Sequence, residues 1–427
     1  MQYWNITSTK IFLATLFFSI TVYTASAQEN SPYSRYGIGN TKLTENVASR
    51  GMGGVSIADT SATIANPTNP ASFASLKLTS FQVGLEGTST NIRNSSVSNR
   101  TGSLVLSYVN IGMPITKHIG VSFGLMPQTR SKFAMQQTDS IANISQVVYN
   151  YYGGGGTQKI YLGAAYKFKD YSFGVMTGYM FGNVLNSSDA NFTDSIKIVS
   201  SSMNSRTNVG GIFLQVGALM NKPVKEKYHI TLGANYQLAQ NLNAKKDTYW
   251  KSFRGDVSSP TYEYSVDSII ESKGKVFIPG KLSVGAMFSN GNLWKAGIDF
   301  VTSNWSNYRS YGQADSTSNS WMLKIGGAIT PDADAVGKTW KRVTYRIGGY
   351  AGQDIFRFNN TNLPVAGATV GIGYPIRRTI LSIGQINASL DIGKRGTTKN
   401  GLLSEGYTRF SIGFTFNDKW FIPQKYE

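Results

Sequence analysis

The stretch Tyr407–Phe416, YTRFSIGFTF, alternates strictly between apolar and polar side chains. One face carries Phe410, Ile412, Phe414 and Phe416. The other face carries Arg409, Ser411, Gly413 and Thr415. Tyr228–Leu238, YHITLGANYQL, repeats the pattern. A hydrophobic period of two indicates β-strands with one apolar and one polar face.

Fourteen segments of this kind follow one another along the chain. They are Leu78–Gly87, Ser103–Gly112, Ile119–Met126, Gln158–Phe168, Tyr171–Phe181, Val209–Met220, Tyr228–Leu238, Lys281–Phe288, Trp294–Val301, Trp321–Thr330, Val343–Gly352, Ala366–Tyr374, Gly384–Gly393 and Tyr407–Phe416. Their lengths suit tilted strands that cross a bilayer, and aromatic residues mark their ends. We therefore predict an all-β, fourteen-stranded antiparallel transmembrane β-barrel formed by residues 77–416.

The connections between these segments alternate in length. The long ones cover residues 88–102, 127–157, 182–208, 239–280, 302–320, 353–365 and 394–406. Most of the others are short, as at 113–118, 169–170, 221–227, 289–293 and 375–383. This is the layout of a bacterial outer-membrane barrel whose long loops face outward. Both termini then lie in the periplasm, with residues 417–427 as a C-terminal tail.

The first residues predict export. Lys10 precedes the apolar run Ile11–Phe18, and Ala25-Ser26-Ala27 provides an A-x-A cleavage site. A short apolar core with a basic flank and small residues at the end is typical of a cleaved secretory signal peptide, here residues 1–27. Together with the barrel pattern, it predicts location in the outer membrane of a Gram-negative cell.

Residues 49–74, SRGMGGVSIADTSATIANPTNPASFA, have no hydrophobic period and precede the first strand. Glycines and Asn-Pro dipeptides favour tight turns. The segment resembles the N-terminal hatch of FadL-like outer-membrane barrels, the long-chain fatty acid and hydrocarbon transporters. The matching residues are Gly51, Gly53, Gly54, Asn69, Pro70 and Ala71. The stretch LWKAGIDFVTSNWSNY, Leu293–Tyr308, also resembles a strand pair of that family. SPYSRYGIGN and NDKWFIPQKYE are similar to a Bacteroidota branch of it.

The resemblance implies a small hatch, residues 28–76, inside the lumen, and passive uptake of hydrophobic small molecules. The alternative is an accessory barrel subunit of an outer-membrane protein secretion or assembly complex. A transporter needs a lateral exit into the bilayer, and the third predicted strand is the candidate. It contains Gly120 and Gly124, and Pro127 follows its end. Proline removes a hydrogen-bond donor from the ladder, and the family is known for a kinked third strand.

The net charge of the chain indicates which classes of partner it binds. The chain has 41 Lys and Arg against 23 Asp and Glu, a formal net charge of +18. With a signal peptide, this favours anionic lipid or lipopolysaccharide over nucleic acid. Cations on the inferred lumen faces either guide a carboxylate head group or pair with the wall acids Asp299, Asp391 and Glu86. The candidate cations are Lys159, Lys167, Lys295, Lys324, Arg346 and Arg409.

No pattern predicts catalysis, a metal site or a cofactor. The sequence has no Cys and only two His, His118 and His229, and neither lies near paired carboxylates in sequence. Gly51–Gly54 and Gly153–Gly156 lack the Lys of a phosphate-binding loop. Asp332 and Asp334 fall short of a calcium loop. We therefore predict that the protein is not an enzyme.

Overall fold

A computed structural model describes residues 30–141, 145–192, 198–225, 227–256, 259–291, 293–335, 337–377 and 383–420. The predicted signal peptide lies outside these residues, as does 421–427 of the predicted tail. No helix within the described ranges has the length and apolar character needed to span a membrane.

The described chain consists mainly of β-strands. In chain order they are β1 (Asn40–Thr41), β2 (Thr79–Arg93), β3 (Ser98–Pro114), β4 (Ile119–Ile141), β5 (Ser145–Phe168), β6 (Tyr171–Phe192), β7 (Ser200–Lys225), β8 (Tyr228–Gln237), β9 (Gln240–Asp256), β10 (Ser259–Ile278), β11 (Lys281–Asn290), β12 (Trp294–Ser303), β13 (Arg309–Ser310), β14 (Ser320–Ile329), β15 (Thr344–Phe358), β16 (Thr361–Arg377), β17 (Ile383–Gly396) and β18 (Ser404–Asp418). A short helix, α1, covers Val47–Arg50. The 3-10 segments are Pro32–Arg35, Pro70–Ser75, Trp305–Asn307, Thr339–Arg342 and Lys399–Gly401.

The strands form one closed antiparallel sheet. β18 pairs with β2 along its whole length, which joins the last barrel strand to the first. β8 continues into β9, and β10 continues into β11, so these four segments make two long barrel strands. β1 and β13 are two-residue strands outside the count. The barrel therefore has fourteen strands, as predicted.

Most of the predicted long loops were wrong. β4 and β5 occupy nearly all of 127–157, and β9 and β10 occupy nearly all of 239–280. The predicted strand Ile119–Met126 accordingly extends to Ile141. Beyond the bilayer, water contacts both faces of a hairpin. The hydrophobic alternation therefore stops there, although the hydrogen bonds between the strands continue. The predicted tail also begins inside β18, which ends at Asp418.

The alternation predicted from Tyr407–Phe416 is confirmed. Phe410 and Phe416 are 48% and 52% exposed on the outer surface, whereas Ser411 and Thr415 are 2% and 5% exposed on the inside. An apolar outer face and a polar inner face are what a transmembrane barrel requires.

One side of the barrel is much taller than the other. β5 and β7 have 24 and 26 residues, whereas β12 and β14 each have 10. The long strands β4, β5, β6, β7, β9 and β10 are consecutive neighbours in the sheet. About ten tilted residues cross a bilayer, so the remainder projects beyond it, at the end opposite the short turns. We call this projecting part the extended sheet.

Candidate functional site: the plugged lumen

The hatch, residues 30–76 as the structure describes it, lies inside the barrel against a belt of glycines. Twelve of the fourteen barrel strands supply a glycine at which an added Cβ would lie within 3.1 Å of hatch atoms. They are Gly112, Gly120, Gly163, Gly174, Gly217, Gly233, Gly285, Gly297, Gly326, Gly348, Gly371 and Gly413. At Gly112, for example, the Cβ would lie 2.7 Å from Cβ of Ala65. The missing side chains let the hatch approach the wall backbone closely.

The glycine-rich part of the hatch motif makes a tight turn after α1. Gly53 and Gly54 have φ angles of +68° and +83°, a conformation that favours glycine. The Gly53 amide donates to Oγ1 of Thr369 on β16 at 2.7 Å. Gly51 packs against Gly371 on the same strand. This part of the motif therefore fixes the hatch to the wall.

Asn69, Pro70 and Ala71 begin the 3-10 segment rather than a simple turn. Oδ1 of Asn69 accepts a hydrogen bond from the Ala71 amide at 3.1 Å, so Asn69 is the N-cap. Pro70 takes the first position, where no amide donor is needed. Nδ2 of Asn69 donates to the Ile57 carbonyl at 2.8 Å. The motif thus closes the hatch on itself while it packs against Gly174 and Gly217.

Three predicted lumen charges bind the hatch directly. Nζ of Lys295 lies 2.9 Å from Oδ1 of Asp59. Oδ2 of Asp299 accepts from the amides of Ser56 and Ile57 at 2.7 and 3.0 Å. Lys324 pairs with Glu45. These contacts fix the hatch to the inner wall of the barrel.

The Glu45–Lys324 pair is buried, with side chains 9% and 13% exposed. Burial alone would raise the pKa of Glu45, but the nearby Lys324 ammonium outweighs it and lowers the pKa to about 2. Glu45 therefore stays ionised at neutral pH.

A second charged group joins the hatch to β2, β17 and β18. Nη1 of Arg50 donates to Oε2 of Glu86 at 2.8 Å, and both side chains are under 5% exposed. Arg409 pairs with Asp391 at 2.7 Å and lies 3.8 Å from Glu86. Arg409 therefore lies against both wall acids, Glu86 and Asp391.

Two of the other three predicted lumen cations are buried without such partners. Arg346 packs beside Gly51, and Nζ of Lys159 lies 5.5 Å from the ring centroid of Phe213. Across the described residues, neither forms an ion pair. Lys167, at the end of β5, is only half-buried and lies at the rim of the barrel rather than in the lumen.

The first part of the hatch fills a break in the wall. β3 pairs with β4 only between Val109–Leu125 and Pro114–Gly120. Beyond Leu125 along β4, the hatch takes the place of β3 as the neighbouring strand. Asn40 and Thr41 of the hatch pair there with Arg130 and Thr129 of β4. Gly120 and Gly124 thus lie in the paired part of β4, whereas Pro127 lies at the break, beside an irregularity between Pro127 and Thr129.

A cavity of about 210 Å³ lies between the hatch and the wall. Its lining includes five cationic and five acidic residues, namely Lys42, Arg50, Lys324, Arg395, Arg409, Glu45, Glu86, Asp354, Asp391 and Glu405. Arg395 pairs with Asp354 and with Glu405, so these charges also neutralise one another. The lining also includes Leu43, Met322 and Val365, so the cavity combines paired charges with apolar surface.

Above this cavity an apolar cluster closes the outer half of the lumen. It joins the hatch residues Tyr33 and Ile38 to side chains from β6, β7, β9, β10, β15 and β16. Leu242, Phe356 and Leu363 in this cluster are 0% exposed. The lumen is therefore packed as a protein interior at its outer end and filled by the hatch at the other.

Sequence reasoning identified wall charges that hold the hatch but missed their charged partners in the hatch. Arg50, Glu45 and Asp59 lie in the hatch, where no period marks their direction. The glycine belt did leave a signal, because glycine recurs on the polar face of nearly every predicted strand.

Solved structures with the same fold are outer-membrane channels. A Pseudomonas aeruginosa FadL homologue matches with a TM-score of 0.58 and 14% identity, over 90% of this chain and 100% of that one. The P. putida toluene transporter TodX matches with 0.59 and 12%, over 89% and 100%. The Ralstonia pickettii toluene transporter TbuX matches with 0.54 and 14%, over 88% and 99%. The chain thus has the closed barrel fold of the FadL-type transporters, and the predicted resemblance is confirmed.

A more specific match follows from the sequence. The family model described as BamG matches residues 8–427. The chain therefore belongs to the BamG family. No curated protein matches the sequence.

Proposed function

We propose that this protein is an accessory barrel subunit of an outer-membrane protein complex rather than a channel for small molecules. The observation that carries the proposal is the plugged lumen. The hatch is tied to the wall by Arg50–Glu86, Lys295–Asp59 and Lys324–Glu45. A hydrophobic ligand in this cavity would desolvate the paired charges that line part of it without offering them new partners, which opposes its binding. The transporters share the fold at 12–14% identity, and fold alone does not carry function.

The extended sheet supplies a surface for protein contacts. On β10, Tyr264 and Val266 are each 63% exposed, and Ile270 is 62% exposed. Tyr249 on the adjacent β9 is 39% exposed. These side chains lie well beyond the membrane-crossing part of the barrel, so lipid does not cover them. Exposed apolar groups gathered on a projecting sheet favour a protein partner.

The test is co-purification of the full-length protein in mild detergent after cross-linking in cells. We expect defined outer-membrane proteins in the wild-type sample. The triple variant Tyr264→Ser, Val266→Ser, Ile270→Ser should lose them while it keeps heat-modifiable migration. Val97→Ser is the control, because Val97 is 65% exposed on the separate β2–β3 hairpin. A wild-type protein that purifies as a lone monomer would contradict the proposal.

Passive uptake of hydrophobic small molecules is the second candidate, and the wall break favours it. Residues 40–41 cover the edge of β4 with only a two-residue ladder. Displacement of this segment would open a path to the bilayer, which is the favourable exit for an apolar ligand. A Cys pair at Thr41 and Thr129 would lock the segment. If the cross-link abolishes toluene uptake and reduction restores it, the protein is a transporter. If neither the cross-linked nor the reduced protein takes up toluene, the result supports the accessory role.

Location and processing are part of the proposal. We place the barrel in the outer membrane of a Gram-negative bacterium after removal of residues 1–27, in contact with lipopolysaccharide. Assignment to a Bacteroidota branch stays a prediction. N-terminal sequencing of the membrane fraction should begin at Gln28; retention of the first 27 residues would contradict cleavage.

A further inference from the structure

The outer surface of β3–β7 combines a basic rim with an apolar groove. The rim lies at the short-turn end, which the predicted orientation places in the periplasm. It is formed by Lys117, Lys169, Lys222, Lys225 and Lys227. The same turns contain two acids, Asp170 and Glu226. Within the described residues, none of these five lysines forms an ion pair. The rim therefore carries an excess of positive charge at the level of the membrane surface.

Backbone hydrogen bonds hold the three turns of the rim together. The Lys167 amide donates to the His118 carbonyl at 2.8 Å, and the Asn221 amide donates to the Asp170 carbonyl at 2.8 Å. Aromatic side chains sit beside the lysines: Tyr166 and Phe168 are 52% and 55% exposed. Such rings prefer the interface between head groups and hydrocarbon. The rim thus has a fixed geometry at that interface.

The groove lies on the same strands, nearer to the membrane centre. It has a volume of about 800 Å³ and is lined by apolar side chains, including Ile111, Phe123, Leu125, Ile160, Leu162 and Ile212. It forms where β3 and β4 diverge, because their pairing ends at Val109–Leu125. A concave apolar surface on a barrel wall accommodates a chain more closely than the flat wall does.

The spacing of rim and groove matches a lipid. Phe123 is six residues from Lys117 along the chain. At about 3.3 Å per residue on a tilted strand, this is about 15 Å. One leaflet has a hydrocarbon thickness of about 15 Å. We propose that β3–β7 bind an anionic phospholipid of the periplasmic leaflet, with its head group on the basic rim and an acyl chain in the groove.

The experiment is native mass spectrometry of the full-length protein from mixed micelles that contain equal amounts of dioleoyl-phosphatidylglycerol and dioleoyl-phosphatidylcholine. We expect wild type to retain the anionic lipid about tenfold more than the zwitterionic lipid. Lys117→Gln with Lys169→Gln and Lys222→Gln should abolish this preference. Thr177→Trp, which fills the groove from an exposed position on β6, should lower retention of both lipids.

Two matched controls lie away from β3–β7. Lys338→Gln with Lys341→Gln removes charge from the β14–β15 connection, and Val370→Trp places the same ring on the lipid face of β16. Both should bind as wild type does. Where the triple variant folds poorly, Lys169→Gln alone should still reduce the preference. Equal retention of the two lipids by wild type, equal effects of test and control variants, or release of a bound polypeptide instead of lipid would overturn the proposal.

Discussion

Arg50 of the hatch and Glu86 of β2 form a buried ion pair at 2.8 Å, although neither residue lies on a recognisable motif. Glu86 also lies 3.8 Å from Arg409 and 4.0 Å from Lys42. The pair is therefore the centre of a charge network that connects the plug to the strands at which the barrel closes.

Substitution of Arg50 should loosen the hatch without unfolding the barrel. Loss of one partner of a buried ion pair costs about 3–5 kcal/mol, and Arg409 and Lys42 offset part of it. We expect Arg50→Ala to increase hydrogen exchange in residues 46–59 while heat-modifiable migration persists. Arg100→Ala is the control, because Arg100 lies exposed on β3. Unchanged exchange would show that the network does not hold the plug.

A side chain introduced at one of the belt glycines should displace the hatch from the barrel wall. A Cβ at Gly348 would overlap the backbone of Met52 and Gly53. Gly348→Val should therefore raise single-channel conductance in planar bilayers, since an unplugged barrel of this size is water-filled. At Gly87 an added Cβ would make only ordinary contact, at 3.8 Å from Leu104. Gly87→Val should conduct as wild type does; equal conductance of the two variants would argue against the belt as the seat of the plug.

The Glu45–Lys324 pair should make stability depend on pH. Because the pKa of Glu45 falls from 4.5 to about 2 on folding, its contribution is complete above pH 4.5 and is lost as the pH falls toward 2. The shift corresponds to at most about 3 kcal/mol. In urea unfolding, Glu45→Gln should be less stable than wild type at pH 7, and the difference should shrink between pH 4.5 and 2. A constant difference across that range would contradict the assignment.

The free-energy cost of a charged residue on the lipid face should depend on its depth in the bilayer. Val370 and Ile376 lie on the same outer face of β16, 51% and 39% exposed, and Ile376 is near the strand end. Val370→Lys should cost about 2–4 kcal/mol of folding free energy, and Ile376→Lys about 0–1 kcal/mol. Folded yields in vesicles measure both. Similar yields would mean that Val370 is not near the bilayer centre.

The barrel was predictable from sequence because lipid and water impose opposite demands on alternate residues. Phe410 and Ser411 illustrate this, since their exposures differ as the pattern requires. The extended sheet was not predicted. Tyr264–Asp267 still alternates, but the alternation breaks at Ser268–Ile270, and all of these residues are exposed. The partners of Lys295 and Lys324 were not predictable either. They depend on how an irregular segment folds across a lumen more than 200 residues away in sequence.

The glycine belt also sets an order of events during assembly. Its positions are distributed over twelve strands, from Gly112 on β3 to Gly413 on β18. The complete seat exists only after β18 has joined β2. The hatch is synthesised before any strand, yet it cannot make all of its wall contacts until the barrel has closed. The N-terminal segment therefore depends on the C-terminal strand for its complete binding surface.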